Sequence, residues 1–132
     1  MPKTKNILIL EDDIETLSKL LEEISKLEEE IYPDDIDVTV LSNYKSVEKW
    51  INKEESEKYD IILLDRDCKM GGSFHILDIE KFGPDKIISI SSTPQWNEEA
   101  KKRGIKTIVW KNYENLDAFA KDVGITIREN FL

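Results

Sequence analysis

Short apolar runs alternate with amphipathic stretches from one end of the chain to the other. Ile7-Leu8-Ile9-Leu10 and Ile61-Ile62-Leu63-Leu64 are continuous apolar runs, the pattern of strands buried on both faces of a parallel sheet. Between them, Ile14, Leu17, Leu20, Leu21, Ile24, Leu27 and Ile31 recur at helical spacing with Glu and Lys interspersed. Asp12 or Asp13 caps that predicted helix, and Pro33 lies just beyond its end. Ile36 to Leu41 reads as a second strand, and Ser42 or Asn43 opens a helix carrying Val47, Trp50 and Ile51. The third strand runs from Tyr59 to Leu64. After Gly71-Gly72-Ser73, a short helix covers His75 to Lys81 and stops at Gly83-Pro84. Ile87 to Ser91 is a fourth strand, Pro94 starts a helix through Arg103 that Gly104 closes, and Thr107 to Trp110 is a fifth strand. Leu116, Phe119, Ala120 and Val123 mark a last helix. The pattern leaves open whether Ile125 to Leu132 continues it past Gly124.

Strands alternating with helices in this way predict an α/β fold, a parallel sheet covered by helices on both faces. At 132 residues, positions 1–132 form one domain with a sizeable core. Trp50, Trp96 and Trp110 are expected to be packing residues and not a cofactor box. Composition then removes several function classes. Nineteen Lys and Arg against 28 Asp and Glu give a net charge of −9, which disfavours nucleic acid and anionic membrane as partners. The single cysteine, Cys68, excludes an intrachain disulfide framework and a thiolate zinc cage. No apolar run is long enough to span a bilayer or form a signal-peptide core, so a cytoplasmic location is expected.

The chemistry concentrates where strands end. Glu11-Asp12-Asp13 follows the first apolar run and Asp65-Arg66-Asp67 follows the third. Ser91 and Ser92 end the fourth strand, and Lys111 ends the fifth. Open α/β sheets bind ligands at their carboxyl edge. Carboxylates gathered there repel one another unless a cation joins them, so the pattern proposes a divalent-metal site. Asp13 by itself is most simply a helix cap.

In this set the chain resembles the receiver domain of two-component response regulators, over nearly its whole length. The family's motifs are an acidic pair after strand one, a phosphoacceptor Asp after strand three, a Ser/Thr after strand four and a Lys after strand five. Glu11 and Asp12 match the pair, Asp65 the acceptor, Ser91 the hydroxyl and Lys111 the lysine. The resemblance implies a three-layer αβα, doubly wound, five-stranded parallel sheet of order 2-1-3-4-5, the flavodoxin-like receiver fold. It implies that Asp65 accepts a phosphoryl group with Mg2+, an ion that takes oxygen ligands and offsets charge between nucleophile and phosphoryl oxygens. Asp12 and Asp65 would bind the metal directly, Glu11 through water and Asp67 through its backbone carbonyl. Lys111 would pair with the acceptor or a phosphoryl oxygen, and Ser91 and Ser92 would bind the phosphoryl group. Implied partners are a histidine kinase or phosphotransfer protein and a separate downstream protein. The face made by helix four, strand five and helix five often dimerises in the family, which makes a homodimer an expectation.

Three features depart from the family pattern. Ile108 stands three before the lysine where an aromatic residue is usual, and Asn112 follows the lysine where proline is usual. The loop after the acceptor reads Arg66-Asp67-Cys68-Lys69-Met70-Gly71-Gly72 in place of a Met-Pro-Gly-like turn. That loop also looks like the Asp-x-Asp motif of haloacid-dehalogenase-like phosphatases, and is similar to that of atypical receivers proposed to process cyclic phosphates. The alternative reading is therefore a small Mg-dependent phosphoesterase in which the Asp67 carboxylate, Arg66 or His75 binds or protonates a phosphoester. A third reading is a degenerate receiver used only for protein interaction, against which intact Asp12, Asp65, Ser91 and Lys111 count.

Overall fold

Alternation of side chains along each strand sends successive apolar residues to opposite faces. In the computed structural model, Ile7 and Ile9 of β1 (Thr4–Leu10) enter one core while Leu8 and Leu10 enter another. β3 (Ile61–Asp65) divides in the same way, with Ile61 and Leu63 on the first side and Ile62 and Leu64 on the second. The structure describes residues 1–65 and 74–132, and of His75 only the backbone.

The sheet is completed by β2 (Asp35–Leu41), β4 (Ile87–Ser91) and β5 (Thr107–Trp110). All neighbours pair in parallel, in the order β2-β1-β3-β4-β5. The first core packs β1, β3, β4 and β5 against α1 (Ile14–Ile31) and α5 (Leu116–Phe131), through Leu20, Ile24, Phe119, Val123 and Ile127. The second core lies under α2 (Lys45–Lys49), α3 (Ile79–Phe82) and α4 (Pro94–Lys102), through Val47, Ile79, Phe82 and Ala100. The architecture is thus the three-layer doubly wound αβα sheet expected from the sequence. Among the described residues, no helix is long and apolar enough to cross a membrane.

Local chemistry explains the element ends. Asp13, not Asp12, caps α1, its side chain accepting from the Thr16 backbone N–H at 3.1 Å. α2 is shorter than expected. Asn43 accepts from the Lys45 N–H at 2.9 Å to turn the chain, but the helix boundary falls at Tyr44, which makes no side-chain cap bond. The helix stops after five residues and hands over to a 3-10 turn at Ile51–Lys53. The helix expected over His75 to Lys81 is likewise two pieces, a 3-10 turn at Phe74–Ile76 and α3, with Asp78 capping α3 by accepting from the Lys81 N–H. α5 runs unbroken through Gly124, because Gly124 and Ile127 are both buried against the rest of the fold.

The three tryptophans are not core residues, which corrects the expectation. Trp50, Trp96 and Trp110 are 58 %, 39 % and 52 % exposed. Val47 and Ile51, four apart, take the inward positions of the α2 region and leave Trp50 outside, its ring under the Lys49 ammonium. Trp110 ends an edge strand in which Val109 faces the α1/α5 core, so its side chain points to the opposite face.

Candidate functional site

Register brings the polar strand ends together. Leu10 pairs with Leu64, so Glu11 follows β1 beside Asp65, the last residue of β3. Asp65 pairs with Ile90, which sets Ser91 one step further along the same edge. Ser91 pairs with Trp110, and the Lys111 N–H donates to the Ser91 carbonyl at 3.0 Å. Residues far apart in the chain therefore meet at the carboxyl edge, around the switch point between β1 and β3.

Burial makes the arrangement chemically unusual. Glu11, Asp65 and Lys111 are each 1 % exposed, and charged side chains are almost never buried unless paired. The Lys111 ammonium donates to Glu11 Oε1 at 2.8 Å and to Asp65 Oδ1 at 3.4 Å. Burial by itself pulls the lysine pKa down, but the carboxylates of Asp65 and Glu11 outweigh it and hold the ammonium above the ordinary lysine range. Glu11 Oε2 also accepts from the Asp13 backbone N–H at 3.3 Å, which orients the carboxylate.

Carboxylate oxygens of Glu11, half-buried Asp12 and Asp65 lie within 4.8 Å of one another. Among the described residues, three formal negative charges against one ammonium leave a deficit of positive charge at this edge. All the donors are oxygens, the ligand set of Mg2+, Mn2+ and Ca2+ and not of thiolate-seeking metals. The residues present therefore fit a hard divalent cation.

The remaining predicted site residues are placed as follows. Ser91 is buried, and its hydroxyl accepts from the Thr93 N–H at 2.9 Å, at the turn into α4. Ser92 is half-buried beside it. Asp67, Arg66 and Cys68 lie outside the described residues, as does the side chain of His75, whose backbone belongs to the 3-10 turn at Phe74–Ile76. The phosphoesterase alternative therefore rests on residues outside those the structure describes.

Two contributions were missed in the sequence. Glu11, expected only as a water-mediated metal helper, is the nearest partner of Lys111. Tyr113 lies with its ring centroid 4.9 Å from the Lys111 ammonium. A lysine at a buried sheet edge needs a carboxylate partner, but which strand-end acid lies nearest is set by how the elements pack. The second had no signal, because it depends on how the β5–α5 turn folds back.

No family model and no curated protein matches the sequence. Solved structures do match. The chain is similar to a response regulator receiver domain from Rhodospirillum rubrum, with TM-score 0.66 at 17 % identity over 94 % of each chain. It is similar to the Mn(2+)-bound form of response regulator Rcp1, with TM-score 0.65 at 14 % identity, covering 90 % of this chain and 91 % of that one. The chemotaxis response regulator CheY4 of Vibrio cholerae gives TM-score 0.60 at 15 % identity, covering 91 % and 96 %. The fold is that of response regulator receiver domains, and identities this low speak to the fold alone.

Proposed function

We propose that the chain is a cytoplasmic receiver-like signalling domain that accepts a phosphoryl group on Asp65 with Mg2+. One observation carries the reading. Glu11, Asp12 and Asp65 gather their carboxylates within 4.8 Å at the edge where Lys111 is buried against two of them. A structural role alone accounts poorly for so much buried charge, because replacing buried ion pairs by apolar residues is often neutral or stabilising.

In this reading a carboxylate oxygen of Asp65 attacks the phosphorus of a phosphohistidine on a kinase or phosphotransfer protein. The new O–P bond forms as the N–P bond breaks, and the donor imidazole leaves with the electron pair. Asp12 and Asp65 would hold the metal with help from Glu11, and the ion supplies charge neutralisation between nucleophile and phosphoryl oxygens. Lys111 is already charged and buried, so it stabilises phosphoryl oxygens without waiting for a proton. Ser91 stands at the same edge to donate to the phosphoryl group, redirecting the hydroxyl proton that now reaches the Thr93 carbonyl at 3.4 Å. A rearranged β4–α4 turn is then the local event that a downstream protein partner reads. That a response regulator of similar fold takes a Mn(2+)-bound form supports the reading that this chain binds a divalent cation.

The test is incubation with magnesium and a small phosphodonor, followed by intact-mass analysis, comparing wild type with Asp65→Asn. A magnesium-dependent mass gain of one phosphoryl group, lost in the variant, is expected. Steady hydrolysis of phosphomonoesters or cyclic phosphates that disappears in Asp67→Asn would replace this reading with the enzyme.

A further inference from the structure

We propose that Tyr113 is a positioning residue for Lys111, its ring face holding the ammonium toward Asp65 where a phosphoryl group would be received. The inference rests on the phosphoacceptor reading above. The 4.9 Å separation between the ammonium and the ring centroid is within the roughly 6 Å reach of a cation–π contact. Glu11 and Asp65 take the ammonium's hydrogen bonds, and the ring supplies a further contact. The lysine side chain is thereby wholly enclosed although Tyr113 itself is 51 % exposed.

The loop is built to put the ring there. Asn112 Oδ1 accepts from the Glu114 N–H at 3.0 Å, and the Asn112 carbonyl accepts from the Asn115 N–H at 3.2 Å. Asn115 then caps α5, its side chain accepting from the Ala118 N–H at 3.0 Å. This Asx turn and the cap that follows fix the chain between β5 and α5, with residue 113 over residue 111. A proline at position 112 has no side-chain acceptor and could not make the first of these bonds.

The physical need follows from the lysine itself. An ammonium on a four-carbon stem is a mobile point charge with no directional fork, so its placement must come from its surroundings. Water admitted beside it would screen its attraction for Asp65 and for phosphoryl oxygens. The ring face excludes that water and adds an attraction that needs no hydrogen-bond geometry.

The test compares wild type, Tyr113→Phe and Tyr113→Leu by two measurements. The first is the ring-current upfield shift of the Lys111 ε-methylene protons by NMR, and the second is beryllofluoride affinity in saturating magnesium. Tyr113→Phe should keep the shift and bind beryllofluoride more tightly than Tyr113→Leu. Tyr113→Leu should lose the shift and bind beryllofluoride about tenfold more weakly, a loss within the cation–π range. In a Lys111→Ala background, Tyr113→Leu should cost nothing more, because the two residues act through one contact. Wild-type affinity in Tyr113→Leu, or equal weakening in Tyr113→Phe, overturns the proposal. If wild type binds no beryllofluoride, the phosphoacceptor reading fails. The NMR shift then decides the Tyr113–Lys111 contact by itself, its presence supporting the clamp and its absence overturning it.

Discussion

Glu11 and Lys111, a hundred residues apart in the chain, form a 2.8 Å ion pair that solvent does not reach. Asp65, the proposed acceptor, stands further from the same ammonium, at 3.4 Å. The lysine therefore draws on two of the three carboxylates that a divalent cation would use. Metal and lysine compete for them, and removing the lysine should show it. Lys111→Met should destabilise the metal-free protein by about 3 kcal/mol, because buried carboxylates lose their counter-charge. It should also bind magnesium more tightly, by about tenfold, since one competing charge is gone. Urea unfolding with and without saturating magnesium, together with calorimetric titration, measures both. Equal magnesium stabilisation of wild type and Lys111→Met would rule out the competition.

Alkaline pH should weaken the fold through two groups at opposite ends of the second core's strands. Burial pushes the Tyr59 hydroxyl up to about 12, and its hydrogen bond to Glu54 acts in the same direction. Lys111 is also held above its ordinary range, the two carboxylates overcoming the effect of burial. Both pKa values are raised on folding, so the folded state binds more protons than the unfolded chain at high pH. Their contribution is fully present below the unfolded values, about 10 for tyrosine and about 10.4 for lysine, and is lost as pH rises through the folded ones. Denaturant midpoints should be flat from neutrality to about pH 9 and fall above it. Tyr59→Phe should flatten part of that fall, and an unchanged slope in the variant would remove Tyr59 from the account.

Legibility in the sequence followed how local each determinant is. β4 and β5 were readable to the residue, because each is a continuous run bounded by turn residues. The sheet edge that gathers Glu11, Asp12, Asp65 and Lys111 was readable because strand ends in a parallel sheet share one direction. Helix lengths were less so. Val47, Trp50 and Ile51 fit a longer helix than α2, and only packing shows that Val47 and Ile51 fill the inward space and leave Trp50 outside. Gly124 leaves the end of the last helix open in the sequence, whereas in the fold it lies where α5 crosses α1. The Glu11–Lys111 pair and the ring of Tyr113 depend on distances between elements, which periodicity does not encode.

Asn52 should control how firmly the segment after the acceptor loop is held. Its side-chain amide donates to the Ile76 carbonyl at 2.7 Å, and its oxygen accepts from the Asp78 N–H at 2.8 Å. Lys81 adds a bond to the Asn52 backbone carbonyl at 2.6 Å. Asn52 thus ties the 3-10 turn at Phe74–Ile76 and the start of α3 to the end of the α2 region. Asn52→Ala removes two hydrogen bonds near the surface and should cost about 1–2 kcal/mol. Amide hydrogen exchange at Asp78 and Ile79 should quicken more than at β1 or β3. Uniform change across the chain would mean that Asn52 contributes only to global stability.

Two glycines should respond to alanine with opposite signs. Gly104 has φ of +95° just after α4, a conformation that side chains rarely adopt, and an added Cβ would lie 3.2 Å from Pro84 Cγ. Gly104→Ala should therefore destabilise, by about 1–2 kcal/mol, through backbone strain and crowding together. Gly124 sits within α5 in ordinary helical conformation, and an added Cβ would meet Glu23 Oε2 at 3.4 Å, the near limit of ordinary van der Waals contact. Glycine inside a helix costs about 0.5–1 kcal/mol relative to alanine, so Gly124→Ala should stabilise by up to that amount. Thermal and urea unfolding of the two variants give the signs directly. Destabilisation by Gly124→Ala would mean that the methyl group's contact with the Glu23 side chain outweighs the helical gain.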